Sequence, residues 1–288
     1  MEVVDTHLHL WDPSVLDYPW LAGLGALEEP HRVERAAAAV PATASVVVQA
    51  ESRPDQALAE VVWVEEQAAA GRPLGVDVVA VVAAAPVDSP GLADHLDRLA
   101  EHPLVTGVRR LLQAEPAGAV VGEAMADGLR LVGERGLTFD VCVRSDQLDE
   151  VTELVRRAPG TRCVLDHLGK PPLREPGSRE SWARALETLA AASPDLVLKL
   201  SGLGAEADPD GPLAEQALWF LRRGVEVFGA GRCMIGSDWP VSAQGRGAGY
   251  DWTSWVALVR EACAGASTEE WAAVSTGTAR RTYLGGAA

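Results

Sequence analysis

The sequence predicts an α/β fold, a single (β/α)8 barrel, on three observations. Short apolar, β-branched runs recur eight times, and Ala/Leu/Glu/Arg-rich stretches with helical spacing lie between most of them. The runs are continuously apolar, as in Val46-Val47-Val48 and Val78-Val79-Ala80-Val81-Val82. That pattern is expected of a parallel sheet buried on both faces. With 288 residues the chain also suits such a barrel, which typically needs about 250.

Taken in order, strands are expected near 2–7, 44–50, 75–83, 104–109, 137–143, 162–167, 195–201 and 232–237. Helices are expected between them, among others at Asp55–Ala70, Gly118–Arg135 and Gln147–Arg157. A doubly wound open sheet is the rival arrangement. It would place a glycine-rich phosphate turn after the first strand, where this chain carries histidines. No Pro/Gly/Ser linker divides the sequence, so one domain over residues 1–288 is expected.

Composition narrows the function classes. A formal net charge of -16 argues against nucleic acid and anionic membrane surfaces, both of which call for basic patches. No apolar run approaches the length of a bilayer span and no signal segment opens the chain, so a cytoplasmic protein is expected. Cys142, Cys163, Cys233 and Cys263 form no CxxC pair and read as buried, reduced thiols.

In a barrel, function sits at the carboxyl ends of the strands. Strand one ends in His7-Leu8-His9, whose imidazoles share a face because strand side chains alternate with period two. Asp5 falls on that face as well. Strand two ends with Gln49 and Glu51 on one face, strand four with Arg109-Arg110, and strand six with Asp166-His167-Leu168-Gly169-Lys170-Pro171. Strand seven places Lys199 and Ser201 on one face, and strand eight ends Gly236-Ser237-Asp238-Trp239-Pro240.

Neutral imidazoles with a carboxylate suit one divalent ion such as Zn²⁺, and His7, His9, His167, Asp238 and Glu51 are the candidate ligands. Asp238 is the candidate acid/base, with His167 beside it. Each group has a structural alternative. The histidines can be packed core residues, Asp166 can face away from the lumen, and Glu51 can cap the next helix. Only one of Arg109 and Arg110 is expected to face the pocket. A lysine inside a strand is costly unless paired, so Lys199 either finds a carboxylate such as Asp5 or serves the site. His31, His95 and His102 carry no expected role.

The segments Val4–Pro13, Tyr18-Pro19-Trp20-Leu21, Asp166–Pro171, Lys199–Leu203 and Gly236–Val241 resemble those of the amidohydrolase-related TIM-barrel hydrolases, in the branch of the sugar-acid lactonases. Thr278–Leu284 resembles the family's final helix. The resemblance implies an imidazole cluster of His7, His9 and His167, with Asp238 as acid/base. Strand four offers arginine where the wider family has a metal-bridging lysine, and strand five ends Cys142-Val143-Arg144 without a histidine. A binuclear centre is therefore not expected; a mononuclear or even metal-independent site is.

The reaction expected is hydrolysis of a small-molecule lactone. Arg109, Arg110 and Lys199 are candidate substrate contacts, and Trp11, Tyr18, Trp20 and Trp239 candidate walls. A metal-dependent decarboxylase of an aromatic or unsaturated acid is the rival enzyme, and an inactive ligand-binding barrel the rival of another class.

Overall fold

The structure, a computed structural model, describes residues 2–116 and 118–285. Eight parallel strands follow in sequence order around the sheet: β1 (Val4–Leu8), β2 (Ala44–Val48), β3 (Val78–Ala84), β4 (Val105–Leu111), β5 (Thr138–Cys142), β6 (Cys163–Leu165), β7 (Val197–Leu200) and β8 (Cys233–Ile235). Between and after them lie α1 (Val33–Ala39), α2 (Ala57–Gly71), α3 (Leu92–Leu99), α4 (Glu123–Glu134), α5 (Leu148–Arg157) and α6 (Arg179–Ala192). The remaining helices are α7 (Leu203–Glu206), α8 (Leu213–Phe228), α9 (Trp252–Ala262), α10 (Thr268–Ala272) and α11 (Thr278–Tyr283). The ring closes beyond β8, where the Asp238 N–H donates to the His7 carbonyl at 2.7 Å and the His9 N–H to the Trp239 carbonyl at 2.9 Å. This is the (β/α)8 barrel the strand rhythm predicts.

Strand alternation divides the core into two layers. Val46, Val48, Ala80, Val82, Val164, Val197 and Met234 pack with one another, and Ala279 and Tyr283 of α11 join them. Their neighbours Val47, Val81, Phe139, Val141, Leu165, Leu198 and Ile235 belong to the larger layer under the helices. On α5 the residues Leu148, Val151, Leu154 and Val155 are buried, at the spacing of one helical face. Each such aliphatic side chain contributes about 1.5–3 kcal/mol on burial. Side-chain caps start the last helices: Asp251 accepts from the Ser254 N–H, and Ser267 and Glu270 form a capping box.

Strand six departs from expectation. It ends at Leu165, and residues 166–169 form a tight turn in which His167 and Leu168 both have a φ of 55°. Alternation is lost there, with consequences for the residues that follow. The four cysteines are buried and free, as expected. Among the described residues no helix is long and apolar enough to cross a membrane.

Candidate active site

The strand ends bring three imidazoles and a carboxylate to one point at the carboxyl rim. The Nε2 atoms of His7 and His9 stand 3.1 Å apart. Asp238 Oδ1 lies 3.4 Å from His9 Nε2, 3.7 Å from His167 Nε2 and 3.8 Å from His7 Nε2. The other ring nitrogens are held from behind. His9 Nδ1 donates to the Val48 carbonyl at 2.8 Å, His7 Nδ1 faces Asp166 Oδ1 at 3.3 Å, and His167 Nδ1 meets Ser201 Oγ at 2.9 Å. A proton fixed on Nδ1 leaves the Nε2 lone pair free to ligate. Asp238 is anchored in turn, because its Oδ2 accepts the Ser242 hydroxyl at 2.7 Å.

Burial sets the protonation of the cluster. It holds the His7 imidazole well below its ordinary value and lowers His167 to about 4. Burial pushes Asp238 upward, but the imidazoles of His167, His9 and His7 outweigh it and keep the carboxyl ionised. At neutral pH His7 and His167 are thus neutral, and the cluster presents imidazole lone pairs and an anion to one another. These donors converge on one point, with the Arg109 Nη1 3.3 Å from His7 Nε2. Two nitrogens bound to zinc at about 2.0–2.1 Å in a tetrahedron are about 3.3 Å apart, close to the His7–His9 separation. The residues therefore fit a single divalent ion, and His7, His9 and Asp238 form one group able to hold it. His7, Asp166 and His167 form a second, overlapping group.

Asp166 faces the lumen, contrary to the alternative in which it points away. The strand stops one residue before it, so Asp166 continues the inward series from Val164, and the left-handed turn at His167 swings that imidazole inward as well. Asp5 does not join the cluster. Its carboxylate accepts the Ser237 N–H at 2.7 Å and the Ser237 hydroxyl at 2.6 Å, and β1 shifts register between Asp5 and Leu8.

Lys199 is fully buried beneath the imidazoles. Its Nζ lies 2.5 Å from Asp140 Oδ2, 3.1 Å from Asp166 Oδ1 and 3.2 Å from His7 Nδ1. Its carboxylate partners are thus Asp140 and Asp166, not Asp5, and it does not line the cavity where a substrate contact would stand. The Tyr283 hydroxyl bonds the same Asp140 at 2.9 Å. Sequence reasoning passed over Asp140, although a carboxylate between Phe139 and Val141 in an apolar strand was a signal.

A cavity of about 210 Å³ opens above the cluster, lined by His9, Trp20, Glu51, Arg109, Gln113, Cys142, His167, Lys170 and Asp238 among others. It is smaller than the roughly 300–1,000 Å³ common for drug-sized ligands, and so suits a single small ring. Arg109 is the inward arginine. Its Nη2 donates to the Gln49 carbonyl at 2.7 Å, its Nη1 lies 3.4 Å from Asp166 Oδ2, and its buried Nε has no partner. Arg110 points outward to Asp88 at 3.1 Å and Glu115 at 2.8 Å.

Glu51 lines the cavity but belongs to neither ligand group, and its carboxylate accepts from Gln49 Nε2 at 2.6 Å. It caps no helix. Of the aromatics, only Trp20 lines this cavity, with its Nε1 donating to the Ala50 carbonyl at 2.7 Å. Trp11 is buried behind it and donates to the Leu27 carbonyl. Tyr18 is buried as well. Trp239 packs on His31 and lines a separate groove of about 770 Å³ that contains none of the imidazoles. Gln113 and Cys142 are cavity residues that sequence reasoning did not select.

A barrel with this rim is a member of the Amidohydrolase family, whose pattern the chain matches over residues 4–284. Within that family it is 34% identical over 298 residues to an L-fucono-1,5-lactonase of Burkholderia multivorans, covering 97% of this chain and 95% of that one. An L-rhamnono-gamma-lactonase of Scheffersomyces stipitis is 27% identical over 181 residues, covering 55% of this chain and 54% of that one. A crystal structure of an amidohydrolase from Burkholderia multivorans with bound zinc superposes with a TM-score of 0.82 at 30% identity, covering 99% of each chain.

Proposed function

We propose that this protein hydrolyses the lactone ring of a sugar acid, of the kind named by its L-fucono- and L-rhamnono-lactonase relatives. The observation that carries the proposal is the ionised Asp238 beside three imidazoles, facing a cavity sized for one ring. His7, His9 and Asp238 would hold a zinc ion, with the overlapping group of His7, Asp166 and His167 beside them. When bound, the ion supplies Lewis acidity that polarises a carbonyl oxygen.

The protein's own groups do the rest. Asp238 takes a proton from the water that attacks the lactone carbonyl carbon. The acyl carbon–ring oxygen bond then breaks, and the same carboxyl returns the proton to the departing ring oxygen as the open hydroxy acid forms. Ser242 keeps Asp238 Oδ2 engaged, so that Oδ1 stays aimed at the reacting centre. Arg109 lines the cavity, and its guanidinium is the donor proposed for a substrate oxygen. Trp20 offers an aromatic wall on which a sugar ring packs.

The test is a pH-indicator assay of the purified protein on a panel of aldonolactones, with and without chelator. Acid release on one stereochemical subset is expected, and its loss with chelator marks the ion as essential. Silence on the whole panel with release of carbon dioxide from unsaturated acids would overturn the proposal in favour of a decarboxylase.

A further inference from the structure

Among the described residues, five that are not glycine have positive φ: Glu51 (58°), His167 (55°), Leu168 (55°), Lys170 (47°) and Asp238 (53°). Leu168 is buried in the core, and the other four all line the same cavity. Left-handed backbone is unfavourable for L-residues and persists where the surrounding structure over-determines it, which happens chiefly at functional sites. Here it converges on one cavity from three separate segments. His167 and Asp238 belong to the imidazole–carboxylate cluster. Glu51 and Lys170 do not, and the hydrolytic steps leave both charges unused.

Their placement gives them a use. Glu51 follows β2 and Lys170 follows β6, strands that stand across the barrel from each other in a ring of eight. We propose that Glu51 and Lys170 determine substrate specificity, gripping hydroxyls at opposite sides of the lactone ring. The Glu51 carboxylate accepts a hydrogen bond from one hydroxyl, and the Lys170 ammonium donates one to another. This inference rests on the lactonase reading and names its substrate class: a neutral, polyhydroxylated lactone.

The charge pattern favours hydroxyls over a further carboxylate on the ring. Lys170 Nζ lies 3.5 Å from Glu206 and bonds the Gln113 side chain, while Arg109 faces Asp166. Each cation at the wall is therefore already offset by a carboxylate. Hydroxyls both donate and accept, so they complete such a wall without bringing new charge into it.

The experiment compares kcat/KM of wild type, Glu51→Gln and Lys170→Met on two lactones. One is the aldonolactone opened fastest in the panel; the other is δ-valerolactone, a ring of the same kind without hydroxyls. Both side chains are partly exposed, and thermal melting confirms that each variant folds. Each variant is expected to lose at least tenfold more on the aldonolactone than on δ-valerolactone. Lys170→Gln, which keeps a donor, is expected to retain more of that selectivity than Lys170→Met. Equal losses on both lactones overturn the inference and leave the lactonase reading intact. A wild type silent on every lactone removes that reading and this inference with it.

Discussion

Replacing Glu60 with glutamine tests how the cavity's rear support responds to pH. Glu60 lies on α2 with 2% of its surface exposed. Its Oε1 accepts the Ala50 N–H at 2.9 Å, directly before Glu51, and its Oε2 has no hydrogen-bond partner. Burial pushes its carboxyl from 4.5 up to about 7, and the nearby Glu51 charge adds to this, while the Ala50 N–H opposes it. A carboxyl raised on folding binds a proton that the unfolded chain has released. Its contribution is therefore fully present below pH 4.5 and is lost as pH rises through about 7. At about 1.4 kcal/mol per decade the whole displacement is worth about 3 kcal/mol, of which about 2 kcal/mol falls between pH 5.5 and 8.5.

Glu60→Gln mimics the protonated form and removes this titration. Its carbonyl can still accept the Ala50 N–H. Urea unfolding of both proteins at the two pH values isolates the effect, because the other titrating groups are common to both. Wild type is expected to lose about 2 kcal/mol more than the variant between pH 5.5 and 8.5. Parallel stability profiles would refute the reasoning and show that Glu60 folds ionised.

Three further outcomes follow from the site. Asp238→Asn keeps the side-chain shape but cannot take a proton, so kcat is expected to fall at least a thousandfold in a variant that still unfolds cooperatively; near-native turnover would remove Asp238 from its role. Lys199→Met strands Asp140 and Asp166 in the barrel, and breaking a buried ion pair in this way is expected to cost about 3–5 kcal/mol by urea unfolding. In Gly202→Ala the new Cβ would meet the His167 ring at 2.2 Å, at a φ of +74° that alanine adopts poorly. That variant should bind zinc at least tenfold more weakly by competition with a chromogenic chelator.

The sequence by itself determined the barrel and the identity of the groups at its rim. Continuous Val-rich runs can bury both faces only in a covered parallel sheet, and this property is local enough to read residue by residue. The paired His7 and His9 were legible for the same reason, since period-two alternation governs a strand as long as it stays a strand. The same rule limited the reading to one inward arginine without choosing between Arg109 and Arg110.

Only the tertiary structure decided what happens where strands end. Asp166 continues the inward series, and the left-handed turn at His167 swings the next side chain inward as well, which alternation alone does not allow, and places Lys170 on the cavity wall. The partners of Lys199 were equally hidden, because Asp140 and Asp166 reach it from positions 59 and 33 residues away in the chain. An ion pair forms where the fold brings opposite charges within a few ångströms inside a dry core, and that proximity has no signature in local sequence.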